Sequence, residues 1–260
     1  MDPSAASLNN SVEKAFVILE FLANKADPIE LSALSRALSI NKSTAYRYLT
    51  TLESLGYVVK DADTSCYTLG SKALWLASKF LNNLDLRTQA HPILRKLSDE
   101  TGETVHLAYL DNFEVVYVDK IDGKSPVKMA SRIGNRMPAH CTGLGKALMA
   151  FLPETEWQKY IDRVGLKYHT RNTITQPKEF FDHLRMIRER GYSIDNSENE
   201  EGIRCVALPV RNHEGKVIAA ISIAGWVISM TPDRDETLAR IGQKYSQLIS
   251  EKLGLTRTNS

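Results

Sequence analysis

Three features that would identify common classes of protein are missing from this sequence. It has no run of about 18 apolar residues, so no membrane-spanning helix is expected. Its first ten residues lack the basic-then-apolar pattern of a secretory signal. The three cysteines, Cys66, Cys141 and Cys205, lie far apart without a C-x-x-C pair. We therefore expect no disulfide framework and no zinc finger, and a reducing cytoplasm is the expected location.

The chain also has little net charge. Its 260 residues carry a net charge of +2 at pH 7, and residues 1–84 hold eight basic and eight acidic side chains. Bulk charge therefore gives no indication of nucleic-acid binding, for which a basic domain is the usual sign. Apolar residues make up 43% of the chain and charged residues 25%, which is typical of a globular protein long enough for two domains.

The N-terminal part follows the order helix, helix, turn, helix, hairpin. Apolar spacing predicts a helix over 11–24 with Ser11 as its N-cap, and a short helix over 31–38. A third helix is predicted from its N-cap Asn41 to Gly56. Two short apolar runs around a polar turn then predict a β-hairpin over 57–69. This order is typical of a winged helix-turn-helix that binds DNA.

The third helix has two different faces. At about 100° per residue, Ala45, Tyr48, Leu49, Leu52 and Leu55 share an inward face, while hydrogen-bonding groups and one cation point outward. Such groups read base edges in the major groove, and a lysine at a helix start holds phosphate. The candidate DNA contacts are Lys42, Ser43, Thr44, Tyr46, Arg47, Thr50 and, in the hairpin, Lys60. The alternative is an ordinary helix with a solvated polar face.

The rest of the chain mixes helical and strand patterns. A connecting helix is predicted over 71–84, and its wide apolar face indicates a covering partner. Helices are then predicted over 91–101, 144–152, 154–163, 178–190 and 233–253, and strands over 105–110, 115–121, 127–133, 203–211 and 217–226. Strands flanked by helices favour an α+β domain with an antiparallel sheet. The predicted domains are 8–70 for DNA binding, 71–84 for the linker helix and 85–257 for the second domain.

Several segments, in order along residues 11–254, resemble one family. The segment Asn41–Leu49 resembles the recognition helix of the IclR family of bacterial transcription regulators, and segments 142–147, 188–192 and 200–207 are similar to its effector-domain signatures. The resemblance implies a winged helix-turn-helix joined by a helix to a GAF-like α/β effector-binding domain. It also implies a ligand-responsive regulator without enzymatic activity, for which we expect repression. Residues 171–175 and 201–205 look most like the sugar-acid branch, such as the ketodeoxygluconate regulators.

The resemblance also implies an effector pocket. Its matched positions are Gly143, Leu144, Asp195, Cys205, Ser222 and Ala224; some relatives have a serine where this chain has Ala224. Apart from the resemblance, the pattern of residues places Thr142–Lys146 at the start of a helix, where the first N–H groups attract an anion. We therefore expect a small carboxylate effector, with Thr142 and Ser222 as donors and Asp195 accepting from a ligand hydroxyl or protonated. Arg132 and His140 are further candidates.

Each of these positions also has a plain structural interpretation. The glycines can serve a tight turn, Cys205 can be a small core residue, and Ser222 can bond backbone. His140 and Cys141 beside Cys205 and Asp195 match no zinc signature, so neither a metal nor another cofactor is expected. A P-loop is rejected because His140 and Ala147 stand where it needs glycine and Ser or Thr.

The expected partners are double-stranded operator DNA, a small organic acid and a second copy of the chain, with no membrane. One recognition helix covers only a few base pairs, so we expect a palindromic operator bound by a dimer or tetramer. Contact between copies is expected through the helices at 11–24 and 71–84. Two other classes stay open at this point: an enzyme acting on a small acid with an appended DNA-binding domain, and an architectural DNA binder without a ligand.

Overall fold

The computed structural model of the chain describes residues 9–83, 85–126 and 128–255, apart from the side chains of 77, 79–83 and 85. By their contacts the residues divide into two compact units, Met1–Asn83 and Leu84–Ser260. Within the described ranges, none of the helices combines the length and apolar character needed to cross a membrane. Some predictions fall outside the described residues. They are the predicted domain ends, at 8 and at 256–257, and the side chains that were expected to extend the apolar face of the linker helix beyond Leu74.

The first unit contains four helices and a hairpin among its described residues. They are α1 (Asn10–Ala23), α2 (Leu31–Ala37), α3 (Lys42–Ser54), β1 (Val58–Lys60), β2 (Tyr67–Leu69) and α4 (Lys72–Asn83). β1 and β2 pair antiparallel and form the wing. The prediction that Ser11 caps α1 is wrong. The side chain of Asn9 accepts from the backbone N–H groups of Ser11 and Val12, so the helix starts one residue earlier.

The third helix is held as its sequence predicts. Asn41 caps it by accepting from the backbone N–H of Ser43 at 3.1 Å. Its inward residues Ala45, Leu49 and Leu52 are buried in one core with residues of α1, α2 and the wing. Leu55 is exposed instead, because α3 ends before it and the chain turns at Gly56, whose φ of 80° is left-handed.

The second unit is a six-stranded sheet with helices on both faces. Its elements are α5 (Asp85–Thr101), β3 (Thr104–Asp111), β4 (Glu114–Ile121), β5 (Arg136–Pro138), α6 (Gly143–Met149), α7 (Glu154–Arg163), α8 (Pro177–Arg190), β6 (Ser193–Asn196), β7 (Ile203–Arg211), β8 (Val217–Trp226), a 3-10 turn (Pro232–Arg234) and α9 (Asp235–Lys252). The strand order is β5-β4-β3-β8-β7-β6, and every neighbouring pair is antiparallel.

Period-two alternation along the strands separates the core of this unit into two layers. On β3, Val105 and Leu107 pack into the core shared with α5 and α9, whereas Ala108 packs into the core shared with α6, α7 and α8. His106 therefore lies on the same face as Ala108. This second face carries the cavity described below.

The predicted strand over 127–133 is wrong for its described residues, 128–133, which pair with no strand. The Nζ of Lys120 donates to the carbonyl oxygens of Met129 (2.9 Å) and Ser131 (3.0 Å), so a side chain replaces the ladder bonds there. Two short strands, β5 and β6, were not predicted. Both lie at the sheet edges, where pairing with a longer neighbour fixes them.

Candidate functional site

The candidate DNA contacts of α3 lie on its open face. Lys42, Ser43, Tyr46, Arg47, Thr50 and, in the wing, Lys60 are exposed, and Thr44 is half-buried. Within the described residues, no hydrogen bond or ion pair engages the guanidinium of Arg47. The hydroxyl of Ser43 donates to Asn41 Oδ1 at 2.9 Å, so this side chain is left to accept from a ligand. Their contact with DNA stays a prediction.

One of the two acids of the wing is engaged within its own turn. Oδ1 of Asp61 accepts from the backbone N–H groups of Asp63 and Thr64 and from the Thr64 hydroxyl. These hydrogen bonds, that from the Thr64 backbone above all, lower the pKa of Asp61. The Nζ of Lys60 lies 5.8 Å from the ring centroid of Tyr67. The carboxylate is therefore committed to the turn, and Lys60 remains exposed for a phosphate.

The second unit contains a cavity of about 350 Å³ between the sheet and the start of α6. All seven predicted effector residues line it: Thr142, Gly143, Leu144, Asp195, Cys205, Ser222 and Ala224. These residues come from four separate segments of the sequence, and the fold brings them together around one cavity. That they bind an effector stays a prediction, since lining a cavity is geometry alone.

Strand register explains why these residues meet. Asp195 of β6 is opposite Cys205 of β7, which is opposite Ala224 of β8. Two residues earlier on β8, Ser222 is opposite His106 of β3. Residues two apart on a strand share a face, so two adjacent rows of side chains form the floor of the cavity.

Thr142 has a different role from the predicted one. Its hydroxyl donates to the carbonyl of Pro138 at 2.6 Å and accepts from the N–H of Gly145 at 3.2 Å. The proton is therefore committed, and Thr142 acts as the N-cap of α6 rather than as a free donor. The predicted donation from Thr142 to a ligand is not what this geometry provides.

Gly143 allows α6 to approach the floor of the cavity. A Cβ at this position would lie 2.4 Å from Sγ of Cys205 and 3.5 Å from Cβ of Ala207. Because real Cβ contacts of 2.4 Å do not occur, any side chain here would push α6 away from β7. The glycine thus serves close packing of helix against strand as well as access to the cavity.

Asp195 is a buried acid in the cavity wall. Its Oδ1 accepts from the N–H of Glu198 at 2.7 Å, and burial raises the pKa of Asp195 to about 7. Behind it, Lys146 Nζ is fully buried and paired with Glu198. That lysine also donates to the carbonyl of Ile194 at 2.7 Å, so it is committed to Glu198 and the backbone. Asp195 makes no ion pair among the described residues, and the charge of Lys146 opposes the rise of its pKa without cancelling it.

His106 lines the cavity and was not among the predicted site residues. Its Nδ1 lies 3.3 Å from Oγ of Ser222, and its Nε2 lies 2.8 Å from Oγ of Ser131 in the loop before β5. Burial lowers the pKa of His106 to about 3, so the ring is neutral, with one donor and one acceptor nitrogen. His106 thus connects a predicted ligand contact with a loop that also lines the cavity.

A sequence signal for His106 existed. It is a polar residue at an inward position of an otherwise apolar strand, as Ser222 is on β8. Other lining residues that were missed include Tyr117, Asn199, Glu200 and Trp226. The two weaker candidates do not line the cavity. Arg132 is exposed, and His140 is bonded to the hydroxyl of Tyr160 (2.9 Å) and the carbonyl of Lys167 (2.8 Å).

The cavity lacks the features of a nucleophilic active site. Burial raises the pKa of the Cys141 thiol to about 12 and that of the Cys205 thiol still further, so both stay protonated at neutral pH. The nitrogen of His106 that would act on Ser222 lies 3.3 Å from it, and the other nitrogen bonds a serine rather than an orienting carboxylate. This arrangement suits binding without turnover.

An exposed polar helix in a winged helix-turn-helix and a separate unit with a ligand-sized cavity are the parts of a DNA-binding transcription regulator. The comparisons with known proteins agree. Residues 11–62 match the family described as "IclR helix-turn-helix domain", and residues 78–251 match "Bacterial transcriptional regulator IclR C-terminal". The chain belongs to the IclR family of ligand-responsive transcription regulators. The family and fold class predicted from the sequence are therefore confirmed.

Individual relatives are similar over nearly the whole chain. The "HTH-type transcriptional regulator KdgR" of Dickeya chrysanthemi is 38% identical over 245 residues, covering 94% of this chain and 80% of that protein. The "HTH-type transcriptional regulator XynR" of Escherichia coli (strain K12) is 38% identical over 247 residues, covering 95% and 96%. The crystal structure of the Thermotoga maritima IclR, 38% identical, superposes with a TM-score of 0.81 and covers 94% of this chain and 99% of that one. The KdgR match supports the predicted branch.

Proposed function

We propose that this regulator binds a small organic acid of the sugar-acid class in the cavity of its second unit and thereby changes its affinity for a palindromic operator. The observation that carries the proposal is the cavity itself, of a size usual for small-molecule sites. Its wall combines the start of α6, where the N–H groups that the Thr142 cap leaves unpaired favour a carboxylate, with several hydrogen-bonding side chains. Asp195, Glu200 and Asn199 supply acceptors for the hydroxyl groups that a sugar acid carries.

Ser222 gives the most direct test of this site. We expect Ser222→Ala to abolish the response of DNA binding to the acid while leaving DNA binding without ligand unchanged. The physical reason is that its hydroxyl is buried in the cavity floor beside His106, and alanine offers no hydrogen-bonding group at that position. The measurement is DNA affinity by fluorescence anisotropy, with and without each member of a panel of sugar acids.

The matched control is Ser229→Ala, which removes a serine hydroxyl bonded to the carbonyl of Trp226 and not lining the cavity. It should respond to the acid as the unmodified chain does. An undiminished response in Ser222→Ala would remove the cavity from the mechanism.

The ionisation of Asp195 predicts a pH dependence. Its ordinary pKa is 3.8 and burial raises it to about 7, so the folded chain keeps a proton that the unfolded chain loses between these values. The contribution of Asp195 to stability should therefore fall as pH rises from about 4 to 7 and level off above, opposite in sign to the contribution of the buried, neutral His106, so it is measured as the difference between the unmodified chain and Asp195→Asn. A carboxylate ligand favours the protonated form, since two carboxylates repel, and its affinity should fall about tenfold per pH unit above 7.

Isothermal titration of the acid between pH 6 and 9 measures this slope. Asp195→Asn should make the affinity independent of pH in that range. Asp182→Asn, which changes an exposed carboxylate on α8, should retain the slope. Equal slopes in both variants would show that another group takes up the proton.

We also propose that the regulator acts as a dimer or a dimer of dimers. The first unit has an apolar groove of about 870 Å³ between α1, α3 and α4, lined by Val12, Phe16, Leu55 and Leu76. Phe16 is 58% exposed and Leu76 52%, an unusually apolar surface for a single copy in water. A second copy that covers this groove pairs two recognition helices, as a palindromic site requires.

The proposal includes repression, with release or remodelling of the complex when the acid binds. Its support is analogy: a relative 34% identical over 226 residues is named "Transcriptional repressor IclR". We propose a cytoplasmic location, since the operator DNA lies there. In thermodynamic terms the acid shifts operator affinity by its differential affinity for the two states of the protein.

A further inference from the structure

Three metal-binding side chains converge outside the walls of the effector cavity. The imidazoles of His140 and His169 and the thiol of Cys141 place their ligand atoms within 4.8 Å of one another. His140 and Cys141 precede α6, and His169 lies in the loop between α7 and α8. The alternative set considered from the sequence, with Cys205 and Asp195, is not the one that the fold assembles, because those two line the cavity.

We propose that His140, Cys141 and His169 bind one Zn²⁺ ion, with a water molecule in the fourth position. This site goes beyond the proposed function and does not depend on it. Two imidazoles and a thiolate are ligands that zinc prefers, whereas Mg²⁺ and Ca²⁺ require oxygen ligands. Three protein ligands leave the tetrahedron open at one corner.

The separations in the cluster are close to those of a zinc site. Zinc bonds of about 2.3 Å to sulfur and about 2.0–2.1 Å to nitrogen place tetrahedral ligand atoms roughly 3.3–3.7 Å apart. The ligand atoms here are no more than 4.8 Å apart, so they must contract by about 1 Å. His169 is exposed and is free to rotate its ring toward the buried pair, which also provides a path for the ion.

The hydrogen bonds of His140 identify its ligand atom. Because the carbonyl of Lys167 accepts only, Nε2 carries the hydrogen of the neutral ring and donates to it at 2.8 Å. Nδ1 therefore holds the lone pair, which now accepts from the hydroxyl of Tyr160 at 2.9 Å. Zinc would replace that hydrogen bond. The bond to Lys167 would persist and orient the ring, as the second nitrogen of a metal-bound histidine usually does.

Cys141 completes the set on the buried side. Its Sγ lies 3.6 Å from Oδ1 of Asn199, a weak contact that zinc would replace. As the S–Zn bond forms, the S–H bond breaks and the proton leaves to solvent, so the ligand is a thiolate and no electron is transferred. Asn199 also lines the effector cavity, so the metal lies one side chain away from that site.

Cobalt(II) titration of the full chain tests the proposal, since Co²⁺ occupies zinc sites and reports a thiolate ligand by an intense charge-transfer band in the near ultraviolet. We expect one Co²⁺ per chain, this band together with tetrahedral d–d bands in the visible, and loss of both when one equivalent of Zn²⁺ is added. Cys141→Ser should lose the charge-transfer band. Cys66→Ser, the matched control in the wing, should keep it.

His169→Phe keeps the result interpretable if Cys141→Ser does not fold, because His169 is exposed and its replacement disturbs no core. We expect it to weaken Co²⁺ binding at least tenfold. The proposal is overturned if the unmodified chain shows no thiolate band, if the band survives in Cys141→Ser, or if His169→Phe binds Co²⁺ as tightly as the unmodified chain.

Discussion

Lys146→Met should lower the free energy of unfolding of the second unit by about 3–5 kcal/mol, the cost of leaving one partner of a buried ion pair without the other. Lys146 is fully buried and paired with Glu198, itself only 4% exposed. Methionine fills a similar volume but leaves the carboxylate of Glu198 charged in an apolar setting. The Oε2 of Glu198 already has no hydrogen-bond partner, and among the described residues only the backbone N–H of Asn196, 3.3 Å from Oε1, would remain to stabilise the charge.

Two further variants separate charge from packing. Lys146→Met with Glu198→Gln removes both charges and should recover at least ~1 kcal/mol of the loss, because the uncompensated carboxylate is gone. Lys216→Met breaks an exposed Lys–Glu pair with Nζ 2.9 Å from Glu214 Oε2, and should change stability by less than about 1 kcal/mol.

Urea unfolding followed by tryptophan fluorescence measures these differences. In a Trp75→Phe background the remaining tryptophans, Trp157 and Trp226, both belong to the second unit. An equal effect of Lys146→Met and Lys216→Met would show that the buried pair contributes no more than a surface pair. Since Ile194, which accepts from Lys146, directly precedes Asp195, we expect Lys146→Met to weaken acid binding as well.

Arg47→Ala should weaken binding to the specific DNA site by about 1–3 kcal/mol, which is roughly five- to 150-fold in Kd, and should relax the sequence preference at one base pair. Arg47 is exposed on α3 with no ion-pair partner among the described residues, so its guanidinium is available for the two acceptors of a guanine edge. The site is obtained by selection from random duplexes, and Kd is measured on it and on single-base variants.

Two controls on the same helix make the result specific. Lys42→Ala removes a predicted phosphate contact and should weaken binding to all sequences alike, with a smaller salt dependence. Glu53→Ala changes an exposed residue near the end of α3 and should not weaken binding. Because Arg47 also borders the apolar groove, sedimentation of Arg47→Ala must show an unchanged oligomeric state. An unchanged base preference would exclude Arg47 from base reading.

Helices and strands with a long periodic pattern of apolar residues were predicted correctly from the sequence. The bounds of α7, β7 and β8 agree with the sequence prediction because long periodic runs define them. β6 was missed because its four residues include Asp195 and Asn196, and only pairing with β7 makes them a strand. The strand predicted over 127–133 is not formed by its described residues, 128–133, because the Nζ of Lys120 occupies the carbonyls of Met129 and Ser131, a long-range contact that the sequence does not indicate.

Seven residues of the candidate site could be predicted from the sequence, but their contacts could not. The family resemblance located six of these seven cavity residues and the helix-opening pattern added Thr142, but their hydrogen bonds depend on neighbours distant in sequence. The hydroxyl of Thr142 donates to the carbonyl oxygen of Pro138. Ser222 contacts His106, which lies on a strand more than a hundred residues earlier in the chain. The cluster of His140, Cys141 and His169 has no local spacing to detect, since the third ligand comes from another loop. These contacts depend on the register of distant strands and on the packing of loops, which the sequence pattern does not show.

We propose that one ligand in the cavity controls DNA affinity, and thermodynamic linkage tests this coupling most directly. Fluorescence anisotropy measures the Kd for the selected DNA site with and without a saturating sugar acid, and titration measures the Kd for the acid with and without DNA. Coupling predicts that the two ratios are equal, roughly five- to 150-fold. Binding of the acid with no change in DNA affinity, or two unequal ratios, would contradict the account.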